Sequence, residues 1–180
     1  NDTANAAVAG GALSSNYGGS TSRYDSAALS RKEQGLPDTS NISPVATNFG
    51  YFAGGDTPSS NNDSSGVDRV DYSNDTATAL AKGPLSLLSY SLAATGNNSF
   101  GYFAGGRRAG MPPETSRVDR IDYSNDTATA SPKGPLSAAR GYGLQATGNQ
   151  SFGYFGGGGS PAKSTVERID YGNDTVTASP

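Results

Sequence analysis

The chain has 180 residues, of which 33% are hydrophobic, and it contains 25 glycines, 10 prolines, one methionine and no tryptophan. This composition predicts a thin core and many short strands joined by turns. The absence of histidine and cysteine excludes the commonest general base and thiolate chemistry, and 13 basic residues interspersed with 16 acidic ones argue against electrostatic binding to nucleic acid.

An internal repeat organises the chain. Its first motif, Phe-Gly-Tyr-Phe-(Ala/Gly)-Gly-Gly, begins at positions 49, 100 and 152, which are 51 and 52 residues apart. Its second motif, Val-(Asp/Glu)-Arg-(Val/Ile)-Asp-Tyr-(Ser/Gly)-Asn-Asp-Thr, begins at positions 67, 118 and 166. The repeated residues that we expect to build each unit are Phe49, Tyr51, Gly54, Gly55, Phe100, Tyr102, Gly105, Gly106, Phe152, Tyr154, Gly157 and Gly158.

These motifs divide the chain into four parts: an atypical first repeat or cap with an insertion, two regular repeats and a partial repeat. Their bounds are 1–48, 49–99, 100–151 and 152–180. Both ends of the sequence carry Asn-Asp-Thr at the same phase, and residue 1 is not a methionine. We therefore expect a segment of a longer or processed array, or a subunit that completes its neighbour.

In chain order, a short helix is expected only within the insertion, at residues 24–34, before Gly35 and Pro37. The regular repeat predicts four strands, because alternating residues are bounded by Gly, Pro, Asn and Asp. In the second regular repeat these strands are placed at residues 99–103, 117–123, 127–131 and 142–147. Four strands in about 50 residues is the size of a propeller blade.

An aromatic strand that ends in a Gly doublet, then a loop and a Val-x-x-hydrophobic-Asp-Tyr strand, resembles the kelch repeat of β-propellers. The chain departs from that family where a Trp is usual, since Thr78, Thr129 and Thr177 occupy the position. The amino-acid sequence of the regular repeats is most similar to that of kelch-like repeats in structural and fibre proteins of tailed bacteriophages. The resemblance implies an all-β fold of four-stranded kelch-like blades, arranged as a partial β-propeller or an open β-repeat array.

Acidic and basic side chains two residues apart share one face of each Val-x-x-hydrophobic-Asp strand. We interpret them as ion pairs that tie one repeat to the next, with a ligand-binding ladder as the alternative. The residues are Arg69, Asp71, Arg120, Asp122, Arg168 and Asp170. The acidic residues form no calcium-binding loop pattern, so we predict neither a metal site nor a cofactor nor catalytic residues.

Asn-x-Ser/Thr sequons recur at the phase of two turns, and they are candidate glycosylation sites if the chain is secreted. The alternative is that they are simply good turn sequences. The residues are Asn1, Asn41, Asn62, Asn74, Asn97, Asn125, Asn149 and Asn173.

The loop after each Gly doublet varies in length and charge, and variable loops on a repeated scaffold are where recognition is built. Arg107, Arg108 and Tyr142 are the candidate binding residues there.

The favoured function is nevertheless structural: a self-associating, non-enzymatic fibre, filament or phage-appendage component, extracellular or on a virion. It would assemble by blade stacking and by addition of the strand at residues 174–179. The alternative is a propeller that binds a glycan or partner protein. No apolar run approaches the roughly 20 residues of a membrane span.

Overall fold

The structure, a computed structural model, describes residues 20–22 as backbone and residues 48–57, 62–108 and 114–180. The described strands are β1 (Ser20–Ser22), β2 (Phe49–Ala53), β3 (Asp56–Thr57), β4 (Asn62–Asp63), β5 (Val67–Asp71), β6 (Leu80–Lys82), β7 (Ala93–Gly96), β8 (Phe100–Ala104), β9 (Val118–Asp122), β10 (Ser131–Pro132), β11 (Leu144–Gly148), β12 (Phe152–Gly157) and β13 (Val166–Asp170). Two 3-10 turns, Tyr123–Asn125 and Tyr171–Asn173, follow β9 and β13. The predicted all-β class is confirmed.

The strands form three antiparallel sheets, which we call the first, second and third blade. The first has the order β1-β2-β5-β6, and the second is a meander of β7 to β10. The third has the order β11-β12-β13, and a bridge between Arg168 and Ser179 stands where the other blades have their fourth strand. β3 and β4 form a small separate hairpin.

The hydrophobic core lies between the blades. In β8, Tyr102 contributes to a cluster shared with the third blade, whereas the next residue, Phe103, contributes to a cluster shared with the first. Successive side chains of a strand point to opposite faces, so the aromatic motif supplies both faces of each blade. A thin sheet with apolar residues on both sides is stable only when neighbouring sheets cover it.

A Lys-Gly-Pro-Leu-Ser linker joins each blade to the next. The amides of Gly83 and Gly134 donate to the carbonyls of Asp126 and Asp174 in the following blade, both at 2.8 Å. A Cβ on Gly134 would lie 1.9 Å from the carbonyl oxygen of Val176, so only glycine permits this approach. The leucines two positions later in the linkers, Leu85 and Leu136, are buried in the two clusters between blades.

The strand bounds differ from the predicted ones by one or two residues at most places, but the strand expected at residues 127–131 is reduced to β10. The reason is that this backbone bonds to the preceding linker: Gly83 donates to Asp126, and Ala130 donates to the carbonyl of Pro84 at 2.8 Å. The helix expected at residues 24–34 lies outside the described residues. Within the described ranges, no helix has the length and apolar character needed to cross a membrane.

Candidate functional site

A buried aspartate joins each blade to the one before it. Asp126 of the second blade accepts hydrogen bonds from the phenol of Tyr51 (2.9 Å) and from Nη1 of Arg69 (2.8 Å) in the first. Nζ of Lys82 lies 3.1 Å from its other oxygen. Asp126 is only 6% exposed, so three donors compensate one desolvated carboxylate. We call this arrangement the carboxylate clamp.

The second interface repeats the clamp. Asp174 of the third blade accepts from the phenol of Tyr102 at 2.8 Å and from Nη1 of Arg120 at 2.7 Å. Nζ of Lys133 lies 3.5 Å from its Oδ1. The two clamps therefore use the same residue types at the same phase of the repeat, and each takes its acid from the following blade.

Aromatic rings hold the clamp residues in position. The ring of Tyr51 stacks on that of Tyr123 with centroids 4.8 Å apart, and Tyr102 stacks on Tyr171 at 4.6 Å. The arginines lie over the first phenylalanine of their own motif: Cζ is 4.0 Å from the ring centroid for Arg69 over Phe49, 4.1 Å for Arg120 over Phe100 and 4.9 Å for Arg168 over Phe152. Cation–π contact orients each guanidinium before it meets an acid.

The clamp changes the acidity of its phenols. Burial is the main cause that raises the pKa of Tyr51 and Tyr102 far above the usual value of a tyrosine, and the hydrogen bond to an aspartate raises it further. The neighbouring arginine acts in the opposite direction but does not outweigh the burial. Both phenols therefore stay protonated and donate to the carboxylate.

A second buried acid in each later blade fixes the preceding linker. Asp119 accepts from the amide and the hydroxyl of Ser86, at 3.0 and 2.8 Å. In the third blade Glu167 takes this place, accepting from the amide of Ser137 and from Nε of Arg140, the latter at 2.6 Å. Among the residues that the structure describes, no three acidic side chains converge as metal ligands.

The acidic partners of the arginines in the predicted ion pairs differ from those expected. Arg69 and Arg120 do contact the next blade, but through Asp126 and Asp174 rather than through Asp71 and Asp122. The strand-end aspartates instead cap the following turn. Asp122 accepts from the amide of Ser124 at 2.9 Å, and hydrogen bonds from serine lower the pKa of Asp71 and Asp122.

The third copy of this arginine and acid pair lies at the outer face of the third blade. Asp170 accepts from the amide of Gly172 at 2.9 Å, as its counterparts do from serine. Arg168 is exposed. The sequence signal for the true partner is the aspartate of Asn-Asp-Thr, which keeps the same phase as the arginine in each repeat.

Each glycine doublet lies at or directly after the end of the aromatic strand of its blade. All six doublet glycines have positive φ, and a Cβ on Gly54 would lie 2.5 Å from the carbonyl oxygen of Ser89. Arg107, which follows the second doublet, places Cζ 4.1 Å from the ring centroid of Tyr142, which is 53% exposed. Burial is the main cause that lowers the pKa of Arg117, and the nearby positive charge of Arg108 lowers it further.

The sequons occupy two kinds of turn. Asn74, Asn125 and Asn173 are exposed, and each Oδ1 accepts from the threonine hydroxyl two residues later at 3.3 to 3.4 Å. In the hairpins before β8 and β12, Oδ1 of Asn97 and of Asn149 accepts two backbone amides. Asn62 lies in β4, and Asn1 and Asn41 lie outside the described residues.

The fold is similar to that of a solved protein, YjhT, a kelch-repeat β-propeller. The two structures superpose with a TM-score of 0.60 at 18% sequence identity, over 74% of this chain and 43% of YjhT. The chain thus spans less than half the length of the protein it matches. No family model matches the sequence, and no curated protein matches it.

We expect Asp174→Asn to lower the free energy of unfolding by about 2–3 kcal/mol, because it leaves Arg120 and Lys133 without their counter-charge in a largely buried setting. The matched control is Asp75→Asn at the same phase of the first blade, where the side chain is exposed; we expect a change within about 0.5 kcal/mol. Equilibrium unfolding in urea, in dilute protein, measures both. Equal losses of unfolding free energy in the two variants would contradict a stabilising role for the clamp.

Stability should fall above about pH 10, because the unfolded tyrosines then lose a proton that folded Tyr51 and Tyr102 retain; each contributes a slope of up to about 1.4 kcal/mol per pH unit. Below that pH their contribution is constant. Tyr102→Phe removes one of these protons, so it should reduce the slope of unfolding free energy against pH by up to about 1.4 kcal/mol per pH unit. Urea unfolding between pH 8 and pH 11 measures the slope. Tyr142→Phe, which removes an exposed phenol, is the control, and equal flattening there would contradict the assignment.

Proposed function

Because the chain has the fold of a kelch-repeat β-propeller, we propose that it is a structural repeat protein without catalytic activity, built by stacking of blades. We place it in an extracellular fibre or filament, or in a phage appendage, which it forms or decorates. The observation that carries this proposal is the carboxylate clamp, which occurs at both interfaces with the same donors and the same acid. A contact that every repeat carries belongs to assembly rather than to a single reactive centre.

The buried acids of the second and third blades hold blades and linkers together. Asp126 and Asp174 each have three donors, and Asp119 and Glu167 bind linkers. The large side chains are used in the same way, since Phe103 and Phe155 are 1% and 0% exposed between blades. Stacking is favoured because a blade that lacks a neighbour leaves both an apolar face and a charged group uncovered.

Stacking is favoured over strand addition as the mode of assembly. The segment expected to pair with a neighbouring chain already completes its own blade: the amide of Arg168 donates to the carbonyl of Ser179 at 2.8 Å, and the amide of Ser179 donates back at 3.1 Å. The same segment supplies Asp174 to the second clamp. Its backbone and its acid are therefore committed within the chain.

Negative-stain electron microscopy of the native material tests the proposal, with intact-mass spectrometry alongside. We expect filaments or appendages with a regular axial repeat, and a mass above 18.2 kDa if the sequons carry glycans or the chain belongs to a longer array. Small discrete particles without any axial repeat would contradict a fibre function.

A binding module is the second candidate, and the contact of Arg107 with Tyr142 favours it. The two residues come from the doublet loop of the second blade and from the linker to the third. Nε of Arg107 is held by the phenol of Tyr90 at 3.3 Å. A fixed guanidinium beside an exposed ring is suited to a sugar or to a peptide side chain, since the ring stacks and the cation donates.

For this candidate we expect binding of the chain to a glycan array, and a loss of at least about tenfold, or 1.4 kcal/mol, for Tyr142→Ala and for Arg107→Ala. Lys163→Ala, which removes an exposed cation from the third doublet loop, serves as the control. Absence of binding across the array, or equal loss with the control, would contradict recognition at these loops.

A further inference from the structure

The outer face of the third blade carries an incomplete clamp. Tyr154 and Arg168 hold the positions that Tyr102 and Arg120 hold in the second blade, and the guanidinium of Arg168 already lies over the ring of Phe152. The face is uncovered: Val166 is 52% exposed, whereas its counterparts Val67 and Val118 are 1% and 0% exposed.

The opposite face of the first blade carries the missing half. Tyr72 is 47% exposed, whereas Tyr171, its counterpart in the third blade, is 8% exposed and stacked. Asp75 stands at the phase of Asp126 and Asp174 and is exposed. Phe52 and Val70 are only partly buried, although their counterparts in the later blades are buried between sheets.

We propose that a second copy of this chain docks head to tail, the first blade of one copy on the third blade of the other. Asp75 of the second copy would accept from Arg168 and from the phenol of Tyr154, and Tyr72 would stack on Tyr154. The proposal rests on the blade stacking of the proposed function and names its partner.

Complementarity favours a copy of this chain as the occupant. The outer face of the third blade offers a guanidinium and a phenol, and the matching face offers a carboxylate and a second phenol in the order that forms the two internal interfaces. The docking would use the arginine, tyrosine and aspartate of the internal clamps.

Two copies also supply enough blades for closure. The aligned 74% of this chain covers 43% of YjhT, and twice the three described blades lies within the roughly 4 to 8 blades that close a ring. Head-to-tail docking at both junctions would cover both outer faces of both copies. A closed pair and an open stack use the same residue pairs, differ in the rotation between copies, and are distinguished by their mass.

Sedimentation velocity with light scattering tests the docking, using the full chain from about 1 to 500 µM, a range that spans ordinary weak to moderate affinities. We expect the wild type to associate, and Arg168→Ala and Asp75→Ala each to remain at 18.2 kDa. Both side chains are exposed, so the folded blades should survive, as far-UV circular dichroism will verify. Lys163→Ala, an exposed cation of the same blade, should associate like the wild type.

The most specific experiment mixes Arg168→Ala and Asp75→Ala in equal amounts. Only one junction then has both an intact Arg168 and an intact Asp75, so growth should stop at one copy of each variant, twice 18.2 kDa. A monomeric wild type, an unchanged association of Arg168→Ala, or a mixture that stays monomeric would overturn the docking.

These outcomes separate the docking from the proposed function. A wild type that stops at two copies, in native material without filaments, supports the docking and contradicts the fibre. Native filaments from a chain that stays monomeric at 500 µM contradict the docking alone.

Discussion

The structure depends on the carboxylate clamp, in which an aspartate of one blade binds three donors of the blade before it and its linker. Asp126 and Asp174 are buried, and burying a charge costs several kcal/mol unless donors surround it. The groups that surround Asp126 come from three separate strands of the first blade, and those that surround Asp174 come from two strands of the second blade and from Lys133 of the linker. The clamp therefore fixes the position of those strands as well as the distance between blades.

The composition explains why polar contacts share this task. The chain has no tryptophan and many glycines, so the clusters between blades contain alanines as well as aromatic rings. Alanine buries little area, and the hydrophobic gain per interface is correspondingly modest. Stacked tyrosine pairs and close contacts at Gly83 and Gly134 bring the sheets near enough for the clamp to form.

The period and the local chemistry of the fold were predictable from the sequence. The alternating residues bounded by Gly, Pro, Asn and Asp placed the strands at residues 99–103 and 117–123 to within one residue, because such signals are local. The partner of Arg69 was not predictable in the same way. Both Asp71 and Asp126 satisfy the repeat, and the choice depends on a contact across 57 residues. The shortened strand before Pro132 has the same cause, since its backbone bonds to a linker from the previous blade.

Variation at the second buried acid shows how far an interface tolerates change. Both acids accept from the linker serine, but Asp119 pairs with Arg117 at 3.1 Å, whereas the longer Glu167 pairs with Arg140, whose guanidinium also donates to the carbonyl of Gly157 at 2.8 Å. Each buried acid therefore keeps one serine and one arginine partner, although the length of the acid and the position of the arginine differ.

The sequence separation within the clamps has a consequence for how the chain folds. Tyr51 and Asp126 are 75 residues apart, and Tyr102 and Asp174 are 72 apart. Each clamp thus closes a loop of nearly the same size, however many repeats a polypeptide contains. Loop-closure entropy then does not accumulate with chain length, and each new blade can use its finished predecessor as a template. Folding by such a mechanism proceeds as propagation along one dimension, at a cost per blade that is independent of the length already built.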